Sequence, residues 1–357
     1  MAVPVIKSLQ DCADYTKTVE PFLPQLYSLP EKIWANGVNV AGLKHLYLDT
    51  NPLVTAFSAS IVIGALCLAL SELNRNYSQV DRLWSILPNL YVVHFAAWAR
   101  LSGLAHQRLD LIAVATTFWS VRLTFNYWRK GGYEIGSEDY RWKIIMGKVP
   151  GFIFFLFNVT FIAFIQNILL FMFAGVPTYN ILLTTRFEPE ITIADWGYFG
   201  TIVALVISEY ISDGQQWDFQ TTKQLYNKTA KVPKGWKQEE LDRGFLATGM
   251  WAYSRHPNFF AEQAIWFVLY QWSCYATNSL YNWAGLGAVA LVMLFQGSTI
   301  LTEAISAGKY PEYAEYQKQV GRFFPTSFSP YKTPARVPKV VRTSDLAKRQ
   351  EAKQKKK

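Results

Sequence analysis

Three cysteines in 357 residues, Cys12, Cys67 and Cys274, are too few and too far apart for a disulfide framework, and their spacing is not that of metal ligands. Charge is also scarce. Asp, Glu, Lys and Arg make up 17% of the chain, well below the roughly 25% of a typical soluble domain. The sequence has neither a GxGxxG turn nor a GxxxxGK[ST] loop, which removes the two soluble folds that most often hold nucleotides. A Gly-x-Ser-x-Gly nucleophile elbow and a HExxH zinc helix are missing as well, so neither that hydrolase class nor that metalloprotease class applies. Residues 1–51 hold Asp11, Asp14, Glu20 and scattered prolines in place of a basic start and an apolar block. A cleavable signal peptide is therefore not expected, and the first membrane helix directs insertion. There is no internal repeat.

What the chain has in abundance is apolar and aromatic side chains, at 51% and 16%, with 13 tryptophans. A membrane span needs about 20 apolar residues rising 1.5 Å each to cross roughly 30 Å of hydrocarbon. Pro52–Leu73 and Gly151–Ala174 meet this most clearly, followed by Asp195–Ile211, Phe259–Tyr275 and Asn282–Leu301. Trp84–Leu101 carries His94 and Arg100, and Leu109–Trp128 carries Arg122, but counting both as spans brings order to the loop charges. With seven spans, twenty-seven lysines and arginines fall on one side against six on the other. That excess predicts a cytosolic C-terminus.

The expectation is thus an all-α polytopic membrane protein of about seven helices with a pocket facing the cytosol. It comprises an N-terminal extension (1–51), a membrane domain (52–331) and a basic, disordered tail (332–357). The net charge of +9 lies in loops and tail and forms no soluble basic face, so no nucleic-acid partner is expected. The partners are the bilayer and a lipid. The sequons at Asn76 and Asn227 would face the cytosol and that at Asn158 would be buried, so none is expected to carry sugar.

The polar stretch Gly249–Trp266, GMWAYSRHPNFFAEQAIW, interrupts the apolar runs. Proline is tolerated in the first turn of a helix, so Pro257 marks a helix start with Arg255, His256 and Asn258 at its mouth and Glu262 about a turn and a half inside. Free N–H groups and the positive end of the helix dipole, beside an arginine, are suited to an anion; the competing reading is a capped span with a basic flank. Two more clusters fall at the same depth. Arg122 and Asn126 share one helix face in WSVRLTFNYWRK, with Arg141 following in GSEDYRW, and Glu209 and Asp213 are four apart in EYISDGQQWDF, with Gln215 just beyond. The competing readings are a snorkelling cation for Arg122 and a carboxylate paired to a neighbouring helix for Glu209. Taken together, ionisable groups from several helices at one level point to a ligand pocket, and its arginines to an anionic ligand.

The nine residues SRHPNFFAE resemble the SRHPNYxGE signature of the steroid 5-alpha reductase C-terminal superfamily, in particular its DUF1295 branch. VDRLW (80–84), WSVRL (119–123), EDYRW (138–142), SDGQQWDF (212–219) and KYPEYAEYQKQVGRFFP (309–325) are similar to the same family and stand in its order. The resemblance implies NADPH-dependent reduction of a carbon–carbon double bond in a steroid or other lipid. By motif match Arg122, Asp213, Arg255, His256 and Asn258 would hold the cofactor, with Tyr313, Tyr316 and Arg322 closing over it, and Asn126, Arg141, Gln215 and Glu262 of the polar clusters are further cofactor-binding candidates. Phe259 and Ala261 depart from the family's Tyr and Gly. Reduction also needs an acid for the second carbon, for which Asp81, Tyr91 and His94 are the candidates. No metal is called for. An S-adenosylmethionine-dependent methyltransferase is the rival enzyme, since Glu303 and the Tyr313–Tyr316 pair would fit one; a non-catalytic lipid-binding protein is the third reading. The final KQKKK resembles a dilysine retrieval signal read by a coat complex, which implies residence in the endoplasmic reticulum.

Overall fold

The computed structural model describes residues 2–333, and the KQKKK end lies outside them. Among the described residues the chain is all-helical, with no strand and one isolated bridge. It divides into two compact units, residues 1–204 with 265–292 and residues 205–264 with the chain from 293 onward.

The first unit contains α1 (Leu23–Asn36), α2 (Val40–Asp49), α3 (Pro52–Asn74), α4 (Gln79–Leu83), α5 (Leu87–Leu101), α6 (Gln107–Arg129), α7 (Tyr140–Met146) and α8 (Gly151–Thr184). Helix α9 (Ile193–Thr229) then leads into α10 (Gln238–Arg243), α11 (Pro257–Ala276), α12 (Gly285–Lys309) and α13 (Tyr313–Gln319). Three of these, α3, α8 and α12, are long and apolar enough to cross a membrane. Helices α5, α6, α9 and α11 stand where the other four spans were read, but His94, Arg100, Arg122, Glu209 and Glu262 interrupt their apolar character.

Local chemistry explains the first span. Pro52 occupies the opening turn of α3, and Asn51 caps it by accepting from Leu53 N at 2.9 Å. Twenty-three residues then extend about 35 Å. Val62, Leu66, Leu70 and Leu73 are left exposed along one face of α3, and Val114, Phe118, Val121, Phe125 and Trp128 along one face of α6. Stripes of this kind are at home against lipid. The opposite faces bury an aromatic core in which Trp119 and Trp266 meet edge to face at 4.8 Å and Phe173 lies 4.6 Å from Trp266. Helix α8 carries a π-helical stretch, Asn158–Ile165, and Pro177 within its length.

Residues 1–51 are folded onto this unit. Asn51 Nδ2 donates to the Tyr179 hydroxyl at 2.9 Å, and that hydroxyl donates to the Thr18 carbonyl at 3.0 Å. A buried ion pair lies in the same unit, with Arg108 Nε 2.9 Å from Asp195 Oδ1, which also accepts from Trp272 Nε1 at 2.7 Å. Asp195 flanks a span in the sequence reading; here it is wholly buried.

In the second unit Phe219, Tyr226, Leu241, Leu246 and Trp251 form one core, and Phe245, Ala247, Tyr313, Tyr316 and Val320 a second. Glu312 joins the ends of the segment by accepting from Arg243 Nε at 2.9 Å and from the Tyr331 hydroxyl at 2.7 Å. Between these cores runs the polar loop before α11.

Candidate functional site

Helix α11 begins at Pro257, where proline's missing N–H leaves no donor wasted. The two residues before it are pinned by their backbone. Arg255 N donates to the Gly321 carbonyl at 2.9 Å and His256 N to the Arg322 carbonyl at 3.0 Å. Glycine is required at 321, because a Cβ there would stand 2.0 Å from the Phe324 carbonyl oxygen. Gly249 has φ +62° and admits the Gln215 side chain, whose carbonyl accepts from Met250 N at 3.0 Å.

Glu303 of α12 is the centre of this loop. Its Oε1 accepts from Arg255 Nε at 2.7 Å and from His256 Nε2 at 3.0 Å. Its Oε2 accepts from Arg255 Nη2 and from Gln317 Nε2, each at 3.1 Å. Arg255 Nη1 turns instead to the carbonyls of Gln317, at 3.1 Å, and Val320. A carboxylate only accepts, so a neutral His256 carries its proton on Nε2 and leaves Nδ1 as an acceptor. Its ring stacks on Phe259, with centroids 5.3 Å apart, and Phe259 meets Phe295 edge-on at 5.1 Å. Ala261, the other departure, is fully buried.

Asn258 Nδ2 donates to Asp213 Oδ1 at 3.1 Å, which fixes the orientation of the amide. The other end of that amide, Oδ1, is buried without a hydrogen-bond partner among the described residues. Arg322 lies nearby and is partly exposed; its Nη1 donates to Gln296 Oε1 at 3.2 Å, and its Nε stands 3.6 Å from Glu303. Tyr313 and Tyr316 belong to the second core of this unit. Both are buried beneath the loop against Phe245, and the Tyr316 hydroxyl donates to the Trp251 carbonyl. Glu262 is buried within α11.

The first unit holds the other predicted residues. Arg122 and Asn126 are both buried on α6. Asp81 Oδ2 accepts from Trp142 Nε1 at 3.0 Å, and burial pushes its carboxyl above the usual carboxylate range. Arg141 grips Asp139 through two bonds of 2.8 and 2.9 Å, so its fork is engaged within its own helix turn.

The three candidate acids are not gathered at one place. His94 Nε2 donates to the Pro52 carbonyl at 2.9 Å, and the Tyr47 hydroxyl donates to its Nδ1, also at 2.9 Å. Pro52 opens α3, whereas Asp81 follows its far end, so the two are separated by a helix of 23 residues, about 35 Å long. His94 therefore stands apart from Asp81, and both of its ring nitrogens are hydrogen-bonded. Tyr91 lies between. Its ring meets Phe171 edge to face at 5.6 Å, and its hydroxyl is buried with no partner among the described residues.

Glu303 is the functional-site residue that motif reading did not place beside Arg255. It lies 48 residues downstream in α12, and the sequence marked it only through the methyltransferase resemblance and as a carboxylate beside an apolar run, where carboxylates are costly.

Comparison with known proteins gives a family profile described as a protein of unknown function, DUF1295, matching residues 67–320. An uncharacterized protein of the fission yeast Schizosaccharomyces pombe is 40% identical over 325 residues, covering 90% of this chain and 93% of the relative. No solved structure matches.

Proposed function

The chain belongs to the DUF1295 family, and on that premise we propose that it is an NADPH-dependent membrane reductase of the steroid 5-alpha reductase type, acting on a carbon–carbon double bond of a steroid or other lipid. In this reading it spans the membrane seven times, opens its cofactor pocket to the cytosol and resides in the endoplasmic reticulum. The observation that carries the proposal is the unpaired Tyr91 hydroxyl. A buried polar group without a partner costs about 1–3 kcal/mol, and beside the Phe171 ring this hydroxyl is a donor awaiting an acceptor.

When bound, NADPH supplies the hydride that adds to one carbon of the double bond. The protein's part is to hold the reactants and deliver a proton to the neighbouring carbon. Tyr91 donates that proton, and solvent returns it to the phenolate afterwards, so the sum is NADPH plus one proton giving NADP⁺ and the saturated lipid. The residues around α11 suit the cofactor. Asn258 Oδ1 is an orphaned acceptor for an amide N–H, His256 Nδ1 is a second acceptor, and the partly exposed Arg322 is the cation for a phosphate. Arg255 becomes a positioning residue, since its guanidinium is committed to Glu303 and two carbonyls.

A methyltransferase reading gains one observation, the presence of Glu303 in the cluster. Arg255 already compensates that carboxylate and His256 donates a hydrogen bond to it, which removes it as a counter-charge for the sulfonium of S-adenosylmethionine. Reduction is therefore the better reading.

The test is Tyr91→Phe. Replacing an unsatisfied hydroxyl by hydrogen leaves thermal stability unchanged or raised, while single-turnover reduction of a sterol enone or similar activated alkene falls by about 100-fold or more, in line with the loss of a general acid. Full turnover in a stable Tyr91→Phe protein would remove Tyr91 from the mechanism.

A further inference from the structure

We propose that the hairpin formed by α1 and α2 is a lipid-binding element that lies in the bilayer interface on the side where α3 begins. Its tip is apolar yet uncovered. Tyr27 is 82% exposed, Trp34 88%, Val38 96% and Val40 78%, and Leu23, Tyr27, Pro30 and Trp34 follow one another at helical spacing along one edge of α1. In a water-exposed surface such a concentration is rare.

Charge is distributed as lipid insertion requires. No charged residue occurs from Ile33 to Leu43, and Lys32 and Lys44 stand at the two sides of that stretch. Lysines so placed reach anionic or zwitterionic headgroups while the uncharged tip enters below them. Tyr27 and Trp34, the most exposed large apolar side chains on α1, are of the two types that favour the interface.

The tip also brings few unsatisfied donors with it. Gly37 N donates to the carbonyls of Ile33 and Trp34, both at 3.1 Å, Asn39 N to the Asn36 carbonyl at 3.0 Å, and Leu43 N to the Asn39 carbonyl at 2.8 Å. The side chain of Asn36 donates to the Lys32 carbonyl at 2.8 Å, and that of Asn39 accepts from Gly42 N at 3.1 Å. A turn that satisfies its own amides can leave water at little cost.

Its depth follows from its anchorage. Gln25 Oε1 accepts from Asn51 N at 2.8 Å, and Asn51 is the cap at the mouth of the α3 span. The base of the hairpin is therefore held where α3 meets the headgroups, in continuity with the lipid-facing surface of that helix. From Gln25 to Asn36, α1 covers about 17 Å, enough to lay the tip along or into the interface. None of this depends on the reductase reading.

The experiment uses the full-length protein in phosphatidylcholine nanodiscs. Single nitroxide labels are placed through Trp34→Cys, Val38→Cys, Glu31→Cys and Lys44→Cys. The native cysteines are buried, and unsubstituted protein sets the labelling background. Power saturation is expected to show labels 34 and 38 relaxed mainly by oxygen, and labels 31 and 44 at least several-fold more accessible to a water-soluble nickel chelate. Equal nickel accessibility at all four positions overturns the proposal. So does spin–spin broadening at position 38 that disappears on mixing with unlabelled protein, because the partner would then be a second copy of the chain.

Discussion

Arg255 and Arg322 both approach Glu303, yet their surroundings differ. The buried Arg255 makes four hydrogen bonds to protein acceptors, whereas Arg322 is partly exposed and only grazes the carboxylate. Arg255→Ala would leave a buried carboxylate short of its main partner, and breaking such a pair costs about 3–5 kcal/mol. The expected result is a large fall in the unfolding temperature. Arg322→Ala should leave folding nearly intact and weaken NADPH by about ten- to a hundredfold, the equivalent of one charge-assisted contact of about 1.5–3 kcal/mol. Thermal unfolding and cofactor titration of both variants check this. Equal cofactor loss without destabilisation in Arg255→Ala would return that residue to direct contact with the ligand.

Among the elements, the start of α11 at Pro257 was legible because proline's ring marks a first turn irrespective of tertiary context. The shared face of Arg122 and Asn126 on α6 was legible too, and both are buried there, while positions 114, 118, 121, 125 and 128 are exposed with the helical period. Long-range pairing was not. Arg108 and Asp195 belong to different helices, and in the sequence each passes for an ordinary flanking charge; only folding encloses them with Trp272. Likewise Tyr313 and Tyr316 carry the family pattern, but their burial against Phe245 follows from packing that no local spacing encodes. The Arg108–Asp195 pair yields a sharp expectation. Asp195→Asn and Arg108→Gln should each destabilise the protein by about 3–5 kcal/mol, and the double variant by clearly less than their sum. Additive losses in detergent unfolding would show that the two side chains act independently.

At the scale of the whole molecule, three clearly apolar spans make it a membrane protein by length and composition, and the DUF1295 family accounts for residues 67–320. We propose residence in the endoplasmic reticulum with the C-terminus in the cytosol, on the strength of the loop charges and of Lys353 and Lys355. Changing both to Ser should redistribute the protein, while the same change at Lys356 and Lys357 removes equal charge and should not; equal effects would sink the dilysine reading. Activity is the larger claim, and it is tested most directly by titrating the purified protein with NADPH and, in parallel, with S-adenosylmethionine. The account predicts saturable NADPH binding that weakens in Arg322→Ala, with no binding of S-adenosylmethionine. Saturable S-adenosylmethionine binding without NADPH binding would contradict it.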